Sequence, residues 1–174
     1  MKKILALIAN ILIRWRDPYP KTVAEVLDDD IKYKKEVLEA VMAFKKTRPW
    51  RGSPKVQYVK FQKLNVALSA IYNIPVPTLI FKPGVPSCYF PMAKTIFMEP
   101  ESDGKYSVVV FLHEYGHALG KNEVKTCTWS INLFRLCFPK SYAKLEPKGH
   151  LLYKKKEEEA TQVAPQEEEV KIGE

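Results

Sequence analysis

The chain is predicted to fold as an α+β protein, and two patterns carry the prediction. Apolar residues recur at helical spacing on both sides of residues 75–100. Within 75–100, prolines and glycines punctuate three short runs of β-formers. The length, 174 residues, suits one domain plus a tail. Residues 1–152 are expected to form a single domain, beginning with an apolar helix over 1–16. Residues 153–174 are expected to be a disordered charged tail.

The elements follow in chain order. Lys2 and Lys3 precede an apolar run from Ile4 to Ile13, broken only by Asn10. It is too short to span a bilayer as a helix, which takes about 20 residues. Ile4, Leu7, Ile8, Ile11, Leu12 and Trp15 share a helical stripe, so a helix docked on the body or on a membrane surface is one reading. A targeting segment is the other, although Arg14-Trp15-Arg16-Asp17 follows with no small-x-small cleavage site. Thr22-Val-Ala-Glu25 reads as a capping box opening a short helix. A longer helix after Asp30 carries Val37, Leu38, Val41, Met42 and Phe44 on its face and ends at Arg48-Pro49-Trp50-Arg51-Gly52. Ser53-Pro54 opens the next helix, with Phe61, Leu64, Leu68, Ile71 and Tyr72 as its stripe, and that helix stops before Pro75.

The runs Thr78–Phe81, Ser87–Phe90 and Thr95–Met98 are read as three strands of a small, mostly antiparallel sheet. Prolines at 75, 77, 83, 86 and 91 favour strand ends and edges. Ser107 is expected to cap a helix running through Leu119, with Gly120 as a left-handed stop. Asn122 can cap a following helix with Val124, Cys127, Ile131, Phe134 and Phe138 on one face, ended by Pro139.

Charge is divided along the chain. Residues 153–174 hold 4 Lys and 7 Glu, whereas the rest holds 24 basic and 13 acidic residues. Such a basic body can attract nucleic acid, anionic lipid or acidic protein. Residues 40–98 contain no Asp or Glu but nine Lys or Arg, interleaved with Trp50, Tyr58 and Phe61. A nucleic-acid face is one reading. A solvated basic face over a packed helix pair is the favoured one, because the aromatics fit the core stripe. Cys88, Cys127 and Cys137 form no CxxC pair and are odd in number, which argues against a disulfide framework and for a reducing, cytoplasmic setting. The cysteines and Trp129 are read as packing residues.

One motif carries chemistry. His113-Glu114-Tyr115-Gly116-His117 matches HExxH, with a chance expectation of roughly 0.004 in a chain of this composition. Residues i and i+4 share a helix face, so two imidazoles can reach one ion while Glu114, one step round, contacts a water. Zinc lowers the pKa of such a water from 15.7 to about 7, and the glutamate can carry its proton to a leaving amine. The apolar run Val108–Leu112 before it makes solvent-facing surface histidines a poor alternative.

Phe111-Leu112-His113-Glu114-Tyr115-Gly116-His117-Ala118-Leu119-Gly120 resembles the active-site helix of the zincin metallopeptidases. Ser87-x-Tyr89 and Thr95-Ile96-Phe97-Met98 resemble the strand pair that precedes this helix in small ImmA/IrrE-like, gluzincin-type proteins of bacteria, plasmids and phages. The resemblance covers about residues 75–140. It implies a zincin-like fold with the HExxH helix beneath an edge strand that pairs with an extended peptide substrate, and Thr95–Met98 is the match for that strand. It also implies a zinc metallopeptidase acting on peptide or protein.

Glu123, three residues past Gly120, has the spacing of a third ligand but is a glutamate where the metzincin-type motif has histidine or aspartate. His150 and Glu146 are the alternatives. Tyr89, Tyr115 and Tyr142 are each available to stabilise an oxyanion, and nothing in the sequence selects one. The competing function is a regulatory or nucleic-acid-binding protein of a mobile element, with the metal site kept as scaffold or sensor.

Overall fold

A computed structural model describes residues 20, 22–99, 104–148 and 151–154. The apolar segment 4–15 and the tail beyond 154 lie outside the described residues. Among the described residues there are five α-helices, two 3₁₀ turns and five strands: α1 Lys35–Lys46, α2 Pro54–Tyr72, β1 Thr78–Phe81, β2 Cys88–Phe90, β3 Thr95–Met98, α3 Tyr106–Ala118, α4 Glu123–Cys137, α5 Pro139–Tyr142, β4 Leu145–Lys148 and β5 Leu151–Lys154. The fold is α+β, as predicted. No described helix is long and apolar enough to cross a membrane.

The first sheet has the order β1-β3-β2. It is mixed, with β1 parallel to β3 and β2 antiparallel to β3, rather than mostly antiparallel as expected. The strand roles also differ. Thr95–Met98 is the central strand, and the edges are Thr78–Phe81 and Cys88–Phe90. Thr95, Ile96 and Met98 are all buried, so β3 lacks the in–out alternation of a strand with one wet face. Lone β2 is short and mostly exposed, which suits an edge.

The helices enclose this sheet. Phe61 and Leu68 on α2 are fully buried, and Phe61 sets its ring against Phe44 of α1, Phe81 of β1 and Phe111 of α3. Helix α3 is nearly all core: Val108, Phe111, Leu112 and Tyr115 have no exposed surface. It packs on β2 and β3, and most extensively on α4. A helix apolar on every side has to be surrounded, and that burial fixes its rotation about its own axis.

The predicted starts hold better than their predicted caps. Thr22 precedes a 3₁₀ turn, Val23–Val26, and its hydroxyl donates to the Glu25 carboxylate at 3.3 Å instead of capping an amide. Ser53 makes no side-chain cap, so Pro54 alone marks the start of α2. Ser107 lies inside α3 and donates to the Gly104 carbonyl at 2.7 Å. Asn122 does cap α4, accepting from the Lys125 amide at 3.1 Å. The antiparallel hairpin β4–β5 was not expected, and its second strand runs past residue 152 to Lys154. Leu152 in β5 joins the core and lies beside α3.

Candidate metal centre

Helix α3 puts His113 and His117 one turn apart on a single face, with their Nε2 atoms 3.2 Å apart. The chain then turns sharply. Gly120, at φ +76°, donates to the His117 carbonyl at 2.9 Å, and the Lys121 amide donates to Gly116 at 3.2 Å. These two bonds are the Schellman pattern that a left-handed residue after a helix end allows. Asn122 restarts the chain as α4, and Glu123 becomes its first residue. Its carboxylate oxygens stand 3.3 Å from His113 Nε2 and 3.2 Å from His117 Nε2. The turn-and-cap sequence Gly120-Lys121-Asn122 thus folds the third acidic residue back onto the histidine pair.

The separation of the two histidine nitrogens suits one metal ion, with a different Glu123 oxygen against each of them. Ligand atoms about 2.0–2.1 Å from a tetrahedral ion lie about 3.3–3.4 Å from one another. The donor chemistry agrees. His117 Nδ1 lies 3.2 Å from the Lys121 carbonyl, which can only accept, so in the neutral ring Nδ1 carries the proton and Nε2 presents a lone pair. All three side chains are only 13–15 % exposed, so they face a shielded cleft.

Cys127 adds a fourth group. His113, Glu123 and Cys127 have ligand atoms within 4.8 Å of one another and could hold a metal ion. The thiol lies one turn along α4 from Glu123, donating to Glu123 Oε1 at 3.6 Å and lying 3.9 Å from His113 Nδ1. Cys127 is fully buried in the core, as a packing residue would be, and also stands within reach of this candidate group. Burial, with the Glu123 charge beside it, pushes this thiol well above the usual range, so it is neutral.

Electrostatics tie the cluster together. Burial works against charge on His117, but the Glu123 hydrogen bond and the charges of Glu114 and Glu123 outweigh it and raise the imidazole. Burial likewise opposes charge on Glu123, yet the bond from His117 and both histidine charges hold its carboxyl at about 2. Opposite charges a few ångströms apart in a shielded site account for both directions.

Glu114 ties the cluster to the sheet. Its Oε2 accepts the backbone amide of Tyr89 at 2.6 Å, linking the edge strand β2 to α3. Two hollows meet at His113, Glu114 and Glu123. One, about 620 Å³, is walled by Cys88, Tyr89, Pro91, His117 and residues 120–122. The other, about 290 Å³, is lined by apolar groups including Val109, Val110, Ile131 and Leu152.

Among the other candidates, Glu146 lies on β4 outside the metal group, and His150 lies outside the described residues. Tyr115 is fully buried and bonded to Ser69 Oγ at 3.0 Å, so it belongs to the core. Tyr142 also packs against the core, whereas Tyr89 lines the larger hollow. Phe61 is buried and Trp50 and Tyr58 pack against the core, so the aromatics of the basic stretch serve packing. Sequence reasoning missed the Tyr89 amide and the Lys121 carbonyl, because backbone groups leave no trace in residue type. Comparison with known family models, curated proteins and solved structures finds no match for the chain.

Proposed function

We propose that the protein is a zinc-dependent metallopeptidase of the HExxH, gluzincin-like kind. The observation that supports this reading is that the His113 and His117 Nε2 atoms, 3.2 Å apart, each face an oxygen of the Glu123 carboxylate, Oε1 at 3.3 Å and Oε2 at 3.2 Å. Two imidazoles, which give up any extra proton when a metal binds, and one carboxylate suit zinc, and three protein ligands leave a fourth position for water in catalytic zinc sites. When bound, zinc supplies Lewis acidity, which lowers the pKa of a water from 15.7 to about 7.

The residues divide the remaining work. His113, His117 and Glu123 hold the ion. Glu114 accepts the proton of the attacking water and returns it to the leaving amine. The Tyr89 amide orients the Glu114 carboxylate beside His113 in the hollows that would admit that water. An extended peptide lies along β2, the sheet edge beside α3, and its side chains enter the two hollows. Thr95–Met98, as the central strand, is not available for that pairing.

A second reading has an observation of its own. The same Tyr89 bond ties up Glu114, which is only 8 % exposed. A scaffold or sensor metal site in a regulatory protein would keep this carboxylate occupied. Zinc analysis of the purified protein followed by cleavage of a peptide library separates the readings. One zinc per chain with cleavage supports the peptidase, one zinc without cleavage the scaffold. Full zinc retention in His113→Ala or His117→Ala overturns both.

A further inference from the structure

We infer that Thr126 is a positioning residue for His117, holding the imidazole in the tautomer and orientation that present Nε2 to a metal. The inference rests on the metal-centre reading above and assigns a group that orients one of its ligands. Thr126 is fully buried in the first turn of α4, where its amide makes the helix's opening bond to Asn122 at 2.8 Å. Its hydroxyl donates to the Lys121 carbonyl at 3.2 Å. That carbonyl is also the partner of His117 Nδ1 at 3.2 Å, and the hydroxyl itself lies 3.4 Å from Nδ1. The His117 N–H is therefore shared between a carbonyl and a hydroxyl that are bonded to each other. With its proton spent on the carbonyl, the hydroxyl presents only lone pairs toward Nδ1. Both partners accept there, so the proton is kept on Nδ1 and the lone pair on Nε2.

The methyl of Thr126 serves the same end by shape. A Cβ on Gly116 would come within 2.9 Å of Thr126 Cγ2 and 3.3 Å of its Oγ1. The absence of a side chain at 116 is what lets the hydroxyl sit beside the residue that follows, His117. Threonine at 126 thus meets two demands. The methyl fills the groove at Gly116, and the hydroxyl locks the Lys121 carbonyl against the ring. The partners that orient metal-bound histidines typically govern metal affinity by about 10–100-fold.

Thr126→Val keeps the shape and removes the hydroxyl, while Thr126→Ser keeps the hydroxyl and removes the methyl. Zinc affinity is measured by chelator competition on the full chain, and the cobalt-substituted protein gives a visible spectrum of the ligand field. Thr126→Val is expected to lose about 10-fold or more in zinc affinity and to shift the cobalt bands, with its melting temperature near the parent's, and Thr126→Ser is expected to retain most of the affinity. Parent-like affinity and spectrum in Thr126→Val overturn the proposal, as does an equal loss in both variants. A parent chain that binds no zinc overturns the metal centre itself, and this proposal with it. Nitrogen NMR of the zinc-loaded parent tests the same point without any substitution. A protonated Nδ1 and metal-bound Nε2 on His117 support it, and the reverse arrangement sinks it.

Discussion

Tyr89 gives its backbone amide to the Glu114 carboxylate at 2.6 Å, so the edge strand β2 and the metal-site helix are joined through the glutamate of the motif. A bond from a backbone amide orients the carboxylate whatever non-proline side chain position 89 carries. Glu114→Gln keeps an acceptor for Tyr89 but cannot take a proton. It is expected to bind zinc as the parent does and to lose roughly 10²–10⁴ in hydrolysis rate. Paired metal analysis and steady-state kinetics check this, and equal cleavage by the variant would remove Glu114 from its role.

Gly116 lets α4 approach α3. Alanine there would gain up to about 1 kcal/mol of helix propensity. It would also drive a Cβ to 2.9 Å from Thr126 Cγ2, a stiff β-branched side chain. Overpacking of this kind costs about 1–3 kcal/mol, so the clash outweighs the propensity gain. Gly116→Ala is expected to lower the urea midpoint and to weaken zinc binding together, since Glu123 rides on the displaced helix. Adding Thr126→Ser removes the clashing methyl and should restore part of the stability, a coupling that a double-mutant cycle measures.

The helices and strands were legible because each is written in local chemistry. Pro54, Gly120, Asn122 and Pro139 mark boundaries by what their backbones permit, and the structure keeps all four. Pairing between strands is not local. Yet Thr95–Met98 was the run least hemmed in by prolines, and that was a signal for the central position it occupies. The β4–β5 hairpin escaped notice because Leu145-Glu-Pro-Lys148 has neither alternation nor β-branched residues. At the site, His113, His117 and Glu123 are brought together as the motif and the Gly120 turn foretold. The Tyr89 amide and Lys121 carbonyl depend on tertiary approach and could not be read from residue types.

The buried core sets an alkaline limit on stability. Burial pushes the Tyr115 phenol up to about 12 from 10.0, although its bond with Ser69 pulls the other way. The folded state therefore favours the neutral phenol. That stability is fully present below pH 10, the unfolded value, and is lost as pH rises through about 12. Tyr115→Phe is expected to be less stable at neutral pH by about 1 kcal/mol, the worth of the Ser69 bond. Its urea midpoint should fall less steeply than the parent's as pH rises from 10 to 12. Parallel slopes would show that Tyr115 does not govern the alkaline transition.

The identity of the ligands can be decided with cobalt. Glu123 lies 3.3 and 3.2 Å from the two histidine Nε2 atoms, whereas Cys127 approaches His113 at Nδ1, the ring nitrogen turned away from them. A metal seated on both Nε2 atoms thus has Glu123 in reach and the thiol behind the ligands. Cobalt-loaded parent protein is accordingly expected to show tetrahedral visible bands without the strong near-ultraviolet band of a thiolate ligand. Cys127→Ser should keep one zinc per chain, and Glu123→Gln should lose far more zinc affinity than either Cys127→Ser or His150→Ala. A thiolate band that vanishes in Cys127→Ser would instead seat the metal on the His113, Glu123 and Cys127 group. That outcome would turn the centre toward the cysteine-bearing chemistry of structural zinc sites and weigh against hydrolysis.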